Sequence, residues 1–174
     1  MAVLPIITAP DPRLKVKCET VAAVDSAIAK LMDDMLDTMY LAPGIGLAAP
    51  QVGVTKRILV VDVSPKDGPR EPIRMANPEI VWKSDELAVY EEGCLSLPEQ
   101  YADVERPAKI RFRYLDEKGQ PQEREADGLL STCIQHEMDH LDGIIFVDHL
   151  STLKRKMILR KLAKQKKLQA LAGN

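Results

Sequence analysis

Gln135-His136-Glu137-Met138-Asp139-His140-Leu141-Asp142-Gly143 decides how the rest of this chain is read. Two histidines four apart on an α-helix project from one face about one turn apart, so both imidazoles can reach a single divalent metal. The glutamate after the first histidine is placed to handle a proton on a water activated by that metal. The competing reading makes His136 and His140 ordinary polar positions on an amphipathic helix. Choosing between the two requires a helix here and a third ligand elsewhere.

The helix is supported by pattern. Leu129, Leu130, Ile134, Met138 and Leu141 recur as an apolar set, and Gly143 supplies the stop. The third ligand must be found by elimination, since a catalytic site of the zinc or iron type uses three protein ligands and leaves one position open. One metalloprotease class continues His-Glu-x-x-His-x-x-Gly-x-x-His, but the last position here is Phe146, which cannot ligate. Another class takes a glutamate from a later helix, and no acidic residue follows Asp148. Cys133 lies seven residues before His140, about 10.5 Å along a helix, too far for both to hold one ion; it reads as a small buried hydrophobe under the site. Cys18 sits in a turn-rich lead-in and reads as a structural or surface thiol. Cys94 and His149 are left. Cys94 is ahead, because it is on a separate segment beside Gly93 and can approach the helix from across a groove.

Outward from this centre, residues 5–20 read as an extended lead-in in which Pro10, Asp11 and Pro12 forbid an early helix. Asp25 or Ser26 caps a helix to about Leu41, with Ile28, Leu31, Met32, Met35, Leu36 and Met39 at helical spacing. Ala42–Gln51 reads as a loop of small residues, glycines and prolines. Arg57–Val63, Ile73–Ala76, Ile80–Trp82 and Glu86–Tyr90 read as strands, with a polar surface loop over Ser64–Pro72. Glu91–Pro98 interrupts the strands. Lys109–Leu115 and Gln122–Ala126 form a hairpin, Ile144–Val147 a short strand, and Ser151 or Thr152 opens a last, basic helix.

With 174 residues and 45% apolar composition, the chain is one domain in size with a real core. Residues 151–174 carry eight Lys or Arg and no Asp or Glu, leaving sixteen basic against twenty-six acidic side chains in 1–150. The basic end either meets an anionic partner or is simply a solvated helix. Three widely spaced cysteines argue against a disulfide framework and for a reducing cytoplasm. The N-terminus does not read as a signal or transit peptide, and nothing points to a membrane or to DNA.

Three stretches, Gly44-Ile45-Gly46-Leu47-Ala48-Ala49-Pro50-Gln51, Glu92-Gly93-Cys94-Leu95-Ser96 and Gln135-His136-Glu137-Met138-Asp139-His140, together resemble the peptide deformylases in order and approximate spacing. The similarity covers nearly the whole chain. It implies an α+β fold in which antiparallel sheets surround a central helix carrying the two histidines, with an N-terminal and a C-terminal helix. Residues 1–150 would form the catalytic domain, and 151–174 a basic helix of that same domain. The implied activity is removal of the formyl group from the N-terminal formyl-methionine of nascent polypeptides in the bacterial cytoplasm. Cys94, His136 and His140 would hold one divalent metal, Fe²⁺ natively, with Zn²⁺, Ni²⁺ or Co²⁺ able to replace it. Glu137 would be the general base, and the Gln51 amide and Leu95 N–H the oxyanion donors. Ile45, Gly46 and Gly93 would hold the peptide backbone. Ile45, Tyr90, Leu129, Cys133 and the His136 ring would line the methionine pocket, and Glu92 with Arg106 would steady the cysteine loop.

Three positions depart from the family: Pro50 lacks an N–H, Tyr101 replaces an arginine of some members, and Thr132 replaces a larger apolar residue. In bacterial members a basic terminal helix docks on the ribosome near the peptide exit. Here Lys154, Arg155, Lys156, Arg160, Lys161, Lys164, Lys166 and Lys167 would face its RNA, with Leu153, Met157 and Leu162 packed inward. Two other readings are a metallopeptidase, which lacks its third ligand, and a non-catalytic RNA-associated domain, which would need a fourth.

Overall fold

Ile58-Leu59-Val60-Val61 is a continuous apolar run, and such a strand is stable only when both of its faces are covered. The computed structural model, which describes residues 2–173, shows this arrangement. The strand β2 (Ile58–Val61) lies between β1 (Gly46–Ala48) and β3 (Ile73–Lys83) in an antiparallel sheet of order β1-β2-β3-β6-β7, completed by β6 (Ile110–Leu115) and β7 (Pro121–Ala126). Ile58 and Val60 face helix α1 (Ser26–Leu41) with Met32, Met35 and Met39, while Leu59 and Val61 join Met75, Phe112 and Ile134 on the other side. The Asp25 carboxylate caps α1 by accepting the Ile28 N–H at 2.9 Å.

Helix α2 (Gly128–Leu141) is the central element. It packs on β1 and β2 through Cys133, Ile134 and Leu141, and faces a two-stranded hairpin of β4 (Leu87–Cys94) and β5 (Leu97–Pro107) on its other side. Its end is fixed by Gly143, whose φ of +75° suits glycine, and whose added Cβ would lie 2.5 Å from the Lys15 carbonyl oxygen. We therefore expect Gly143→Ala to lower stability by at least about 1–2 kcal/mol from backbone conformation alone, seen as a reduced denaturation midpoint. An unchanged midpoint would show that the turn relaxes without cost. A third apolar cluster joins Leu14, Leu97, Val104, Phe146 and Val147 to Leu162 of helix α3 (Thr152–Ala172).

The α+β architecture, the first helix and the β6–β7 hairpin match the sequence reading, but several boundaries do not. The Ala42–Gln51 segment holds the strand β1 and most of a 3₁₀ turn, Ala49–Val52, rather than a simple loop. Strands 73–76 and 80–82 are one strand, kept continuous by irregular register around Asn77, whose φ is +50°. Glu91–Pro98 does not interrupt the strands: β4 runs on to Cys94, and β5, absent from the sequence reading, starts at Leu97. The lead-in holds a 3₁₀ turn at Pro12–Lys15, and the strand expected at 144–147 is replaced by a 3₁₀ turn at Phe146–His149. Leu153 and Met157 are exposed; Leu162 is buried, with Ile158 and Leu159 packed beside it. Among the described residues no helix is long and apolar enough to cross a membrane.

Candidate metal centre

Helical spacing places the His136 and His140 rings edge to face, with centroids 5.1 Å apart. Cys94 closes the triangle from the end of β4, where the register shift between Gly93 and Cys94 turns the strand toward α2. Its Sγ lies 3.3 Å from His140 Nε2, and one donor atom each from Cys94, His136 and His140 fall within 4.8 Å of one another. Neither Cys133 nor Cys18 joins this group: Cys133 is buried under it, with its thiol directed at the Ile45 carbonyl, and Cys18 is buried in the core. His149 does not join it either; it pairs with Asp139 at 2.7 Å.

The donor set fits a divalent transition metal. Two imidazoles and a sulfur are the ligands that zinc, iron, cobalt and nickel accept. His136 Nδ1 contacts Glu92 Oε1 at 2.9 Å, which places the proton on Nδ1 and turns Nε2 toward the site. Glu92 is held in turn by both prongs of Arg106, at 2.7 and 2.9 Å. Burial alone would raise the Glu92 carboxyl, but the hydrogen bonds from His136 and Arg106 hold it below the usual range. At His136 burial disfavours charge, yet Cys94, Glu92 and Glu137 outweigh it and lift the ring well above its ordinary pKa. The same negative surroundings favour a metal cation. Burial, with the nearby charges of His136 and Arg106, keeps His140 well below the ordinary value.

Glu137 is buried beside this group. Its Oε1 is 3.6 Å from His136 Nε2, and its Oε2 has no protein partner. Burial pushes its carboxyl up to about 7, with Glu92 adding to the rise and His136 opposing it. Gly46 presses on its stem: a Cβ there would lie 2.9 Å from Glu137 Cγ and 3.0 Å from Cys133 Sγ. Only glycine lets β1 approach this closely.

Gln51, at the end of the segment read as a loop, is buried, with 1% exposure. Its Oε1 accepts the Ala48 N–H at 2.9 Å, while Nε2 donates to Ser96 Oγ at 3.0 Å and points at Cys94 Sγ at 3.4 Å. Leu95 lies in the turn of the β4–β5 hairpin, its side chain against Gly44. A groove of ≈ 740 Å³ is bordered by Leu95 but not by Gln51, and is lined among others by Ile45, Gly46, Tyr90, Gly93, Leu129 and Cys133. All six residues expected to meet a substrate therefore border one cavity, with Cys94, His136 and Glu137 on its wall. Thr132 and Tyr101 also border it, and Tyr101 packs on the Gly93 backbone.

Sequence reasoning missed Ser96, which is fully buried and accepts from Gln51, and the joint hold of Arg106 and His149 on Asp139. The serine follows Leu95 directly, so its place in the motif was the available signal. Nothing in the local pattern marks the Asp139–His149 contact.

A family model described as polypeptide deformylase matches residues 3–156. The peptide deformylase of Methylocella silvestris is 55% identical over 173 residues, covering 98% of this chain and 88% of that protein. That of Phenylobacterium zucineum is 52% identical over 167 residues, covering 96% and 99%. A crystal structure of peptide deformylase from Ehrlichia chaffeensis superposes with a TM-score of 0.92 at 42% identity, covering 97% of this chain and 99% of that one. A plant peptide deformylase structure gives 0.88 at 35% identity, covering 98% and 94%. With a family model spanning most of its length and relatives more than half identical along nearly all of it, this chain belongs to the polypeptide deformylase family of enzymes.

Proposed function

We propose that the chain hydrolyses the formamide of N-formyl-methionyl nascent polypeptides in the bacterial cytoplasm, using one divalent metal held by Cys94, His136 and His140, with Fe²⁺ as the native ion. The observation that carries this reading is the convergence of those three donor atoms beside the buried, unpartnered carboxylate oxygen of Glu137 at the wall of a peptide-sized groove. When bound, the metal supplies Lewis acidity, which makes a water nucleophilic near neutral pH and polarises the formyl oxygen.

The chain's own residues do the rest. Glu137 takes the proton of the attacking water and delivers it to the departing amine, so water and formamide become formate and a free N-terminus. Burial, which raises its carboxyl, suits the same group to both. The Gln51 Nε2 arm directed at Cys94 and the Leu95 N–H serve as donors to the developing oxyanion. Ser96 and the Ala48 N–H hold the Gln51 amide in place before substrate arrives. The backbones of Ile45, Gly46 and Gly93 hold the peptide extended, as a strand added at the edge of β1. Ile45, Tyr90, Leu129, Cys133 and the His136 ring receive the methionine side chain.

The direct assay is formate release from formyl-Met-Ala-Ser by protein prepared without oxygen. Chelation is expected to abolish turnover, and a single equivalent of Fe²⁺ or Co²⁺ to restore it. Full turnover after complete metal removal would overturn the proposal.

The basic helix α3 is read as part of the same domain, anchored by Leu162 and by Arg155 on Asp148 at 2.7 Å. Among the described residues Lys154, Lys156, Lys161 and Lys164 have no ion-pair partner, which suits contact with ribosomal RNA near the peptide exit. Removing these four charges by substitution to glutamine should weaken ribosome co-sedimentation and flatten its dependence on salt. Unchanged binding would assign the charges to solvation alone.

A further inference from the structure

The contacts that orient His136 do not stop at Arg106. Arg106 spends Nε and Nη2 on Glu92, and its remaining donor, Nη1, reaches Asp139 Oδ2 at 2.8 Å. That same oxygen accepts from His149 Nε2 at 2.7 Å. Five side chains thus run in series, His136–Glu92–Arg106–Asp139–His149. Arg106 and Glu92 are each 5% exposed, whereas the side chains of Asp139 and His149 are 22% and 37% exposed. A buried guanidinium must be fully compensated, and one of its two anions, Glu92, is shared with His136. Asp139 therefore has to stay on Arg106, although water can compete for it at the rim.

His149 is placed to prevent that competition. It ends the 3₁₀ turn Phe146–His149, which is fixed on both sides. Phe146 stacks on the His136 ring with centroids 6.1 Å apart. Asp148 accepts the Ile145 N–H at 3.0 Å and pairs with Lys15 and Arg155, both at 2.7 Å.

We propose that His149 is a positioning residue for His136. By holding the Asp139 carboxylate on Arg106 it keeps the guanidinium fork on Glu92, and so fixes the Glu92 oxygen that orients the imidazole. This rests on His136 being a metal ligand. It gives His149, set aside as a ligand, a role in how firmly the ion is held.

The test compares wild type with His149→Ala, His149→Gln and Asp139→Asn, each loaded with Co²⁺ without oxygen. Loss of the Co²⁺ absorption bands to excess chelator gives the metal dissociation rate, and steady-state assays separate kcat from KM. Changes directly behind a metal ligand shift affinity by about 10- to 100-fold; three links beyond Glu92, His149→Ala should speed metal loss by a smaller factor, about threefold, and Asp139→Asn, one link nearer, by more. The kcat of His149→Ala should fall with KM unchanged, and His149→Gln, which keeps a donor, should return both readouts toward wild type. A dissociation rate for His149→Ala equal to wild type overturns the proposal. So does a lowered melting temperature with no change in metal loss, or a glutamine variant no better than alanine. A His136→Ala protein that holds Co²⁺ as firmly as wild type overturns the ligand assignment itself, and this inference with it.

Discussion

Replacing Glu137 with glutamine should lower kcat for formate release by about 10²- to 10⁴-fold, the range supplied by a positioned general acid–base, while the bound metal is retained. Glutamine has the same shape but cannot take a proton. The surroundings leave little room for substitutes. The carboxylate is 3% exposed, its stem is fixed by the close approach of Gly46, and its Oε2 meets no protein donor. Burial raises its affinity for a proton, which favours taking one from water before passing it to the amine. The KM should stay close to wild type, because the groove backbones at Ile45, Gly46 and Gly93 are untouched. Wild-type turnover by metal-loaded Glu137→Gln would remove this residue as the base.

Arg106→Met should cost about 3–5 kcal/mol of stability, the usual penalty for breaking a buried ion pair by removing one partner. Arg106 is the shared cation of Glu92 and Asp139, and taking it away leaves the Glu92 carboxylate buried with only His136 as donor. The double variant Glu92→Gln/Arg106→Met should recover part of the loss, since the stranded charge is then gone. Chemical denaturation of the metal-free proteins isolates this effect from metal binding. A single variant as stable as wild type would mean that the Glu92 charge finds water or a proton at little cost.

Much of this molecule is legible in its sequence because local rules and tertiary demands coincide. Ile58–Val61 is apolar on both sides and is buried on both sides; Ser26–Leu41 alternates at the helical period and turns its methionines to the sheet. The proposed metal donors come from the histidine spacing and from motif resemblance, since elimination alone left Cys94 and His149 both open. Strand β5 was missed for a physical reason: its inward positions include the polar Gln100 and Arg106, and Arg106 is satisfied only through Glu92 and Asp139 on other elements. Helix α3 misled in the opposite way. Its apolar residues lie on more than one face, so nothing in its spacing separated buried Leu162 from exposed Leu153 and Met157. Gln51 looked like a loop amide because its partners, Ser96 and Cys94, arrive from a hairpin over forty residues away. The Asp139–His149 contact depends on the turn at Asp142–Gly143 folding the chain back on α2, which residue pattern does not encode.

The most direct test of the proposed centre is X-ray absorption at the metal edge of zinc-loaded protein, alongside protein loaded with Fe²⁺. The expected shell has one sulfur at ~2.3 Å and two imidazole nitrogens at ~2.0–2.1 Å, with the sulfur lost in Cys94→Ala. A shell of nitrogen and oxygen alone, in protein that still releases formate in proportion to its metal, would contradict the assignment of Cys94, His136 and His140.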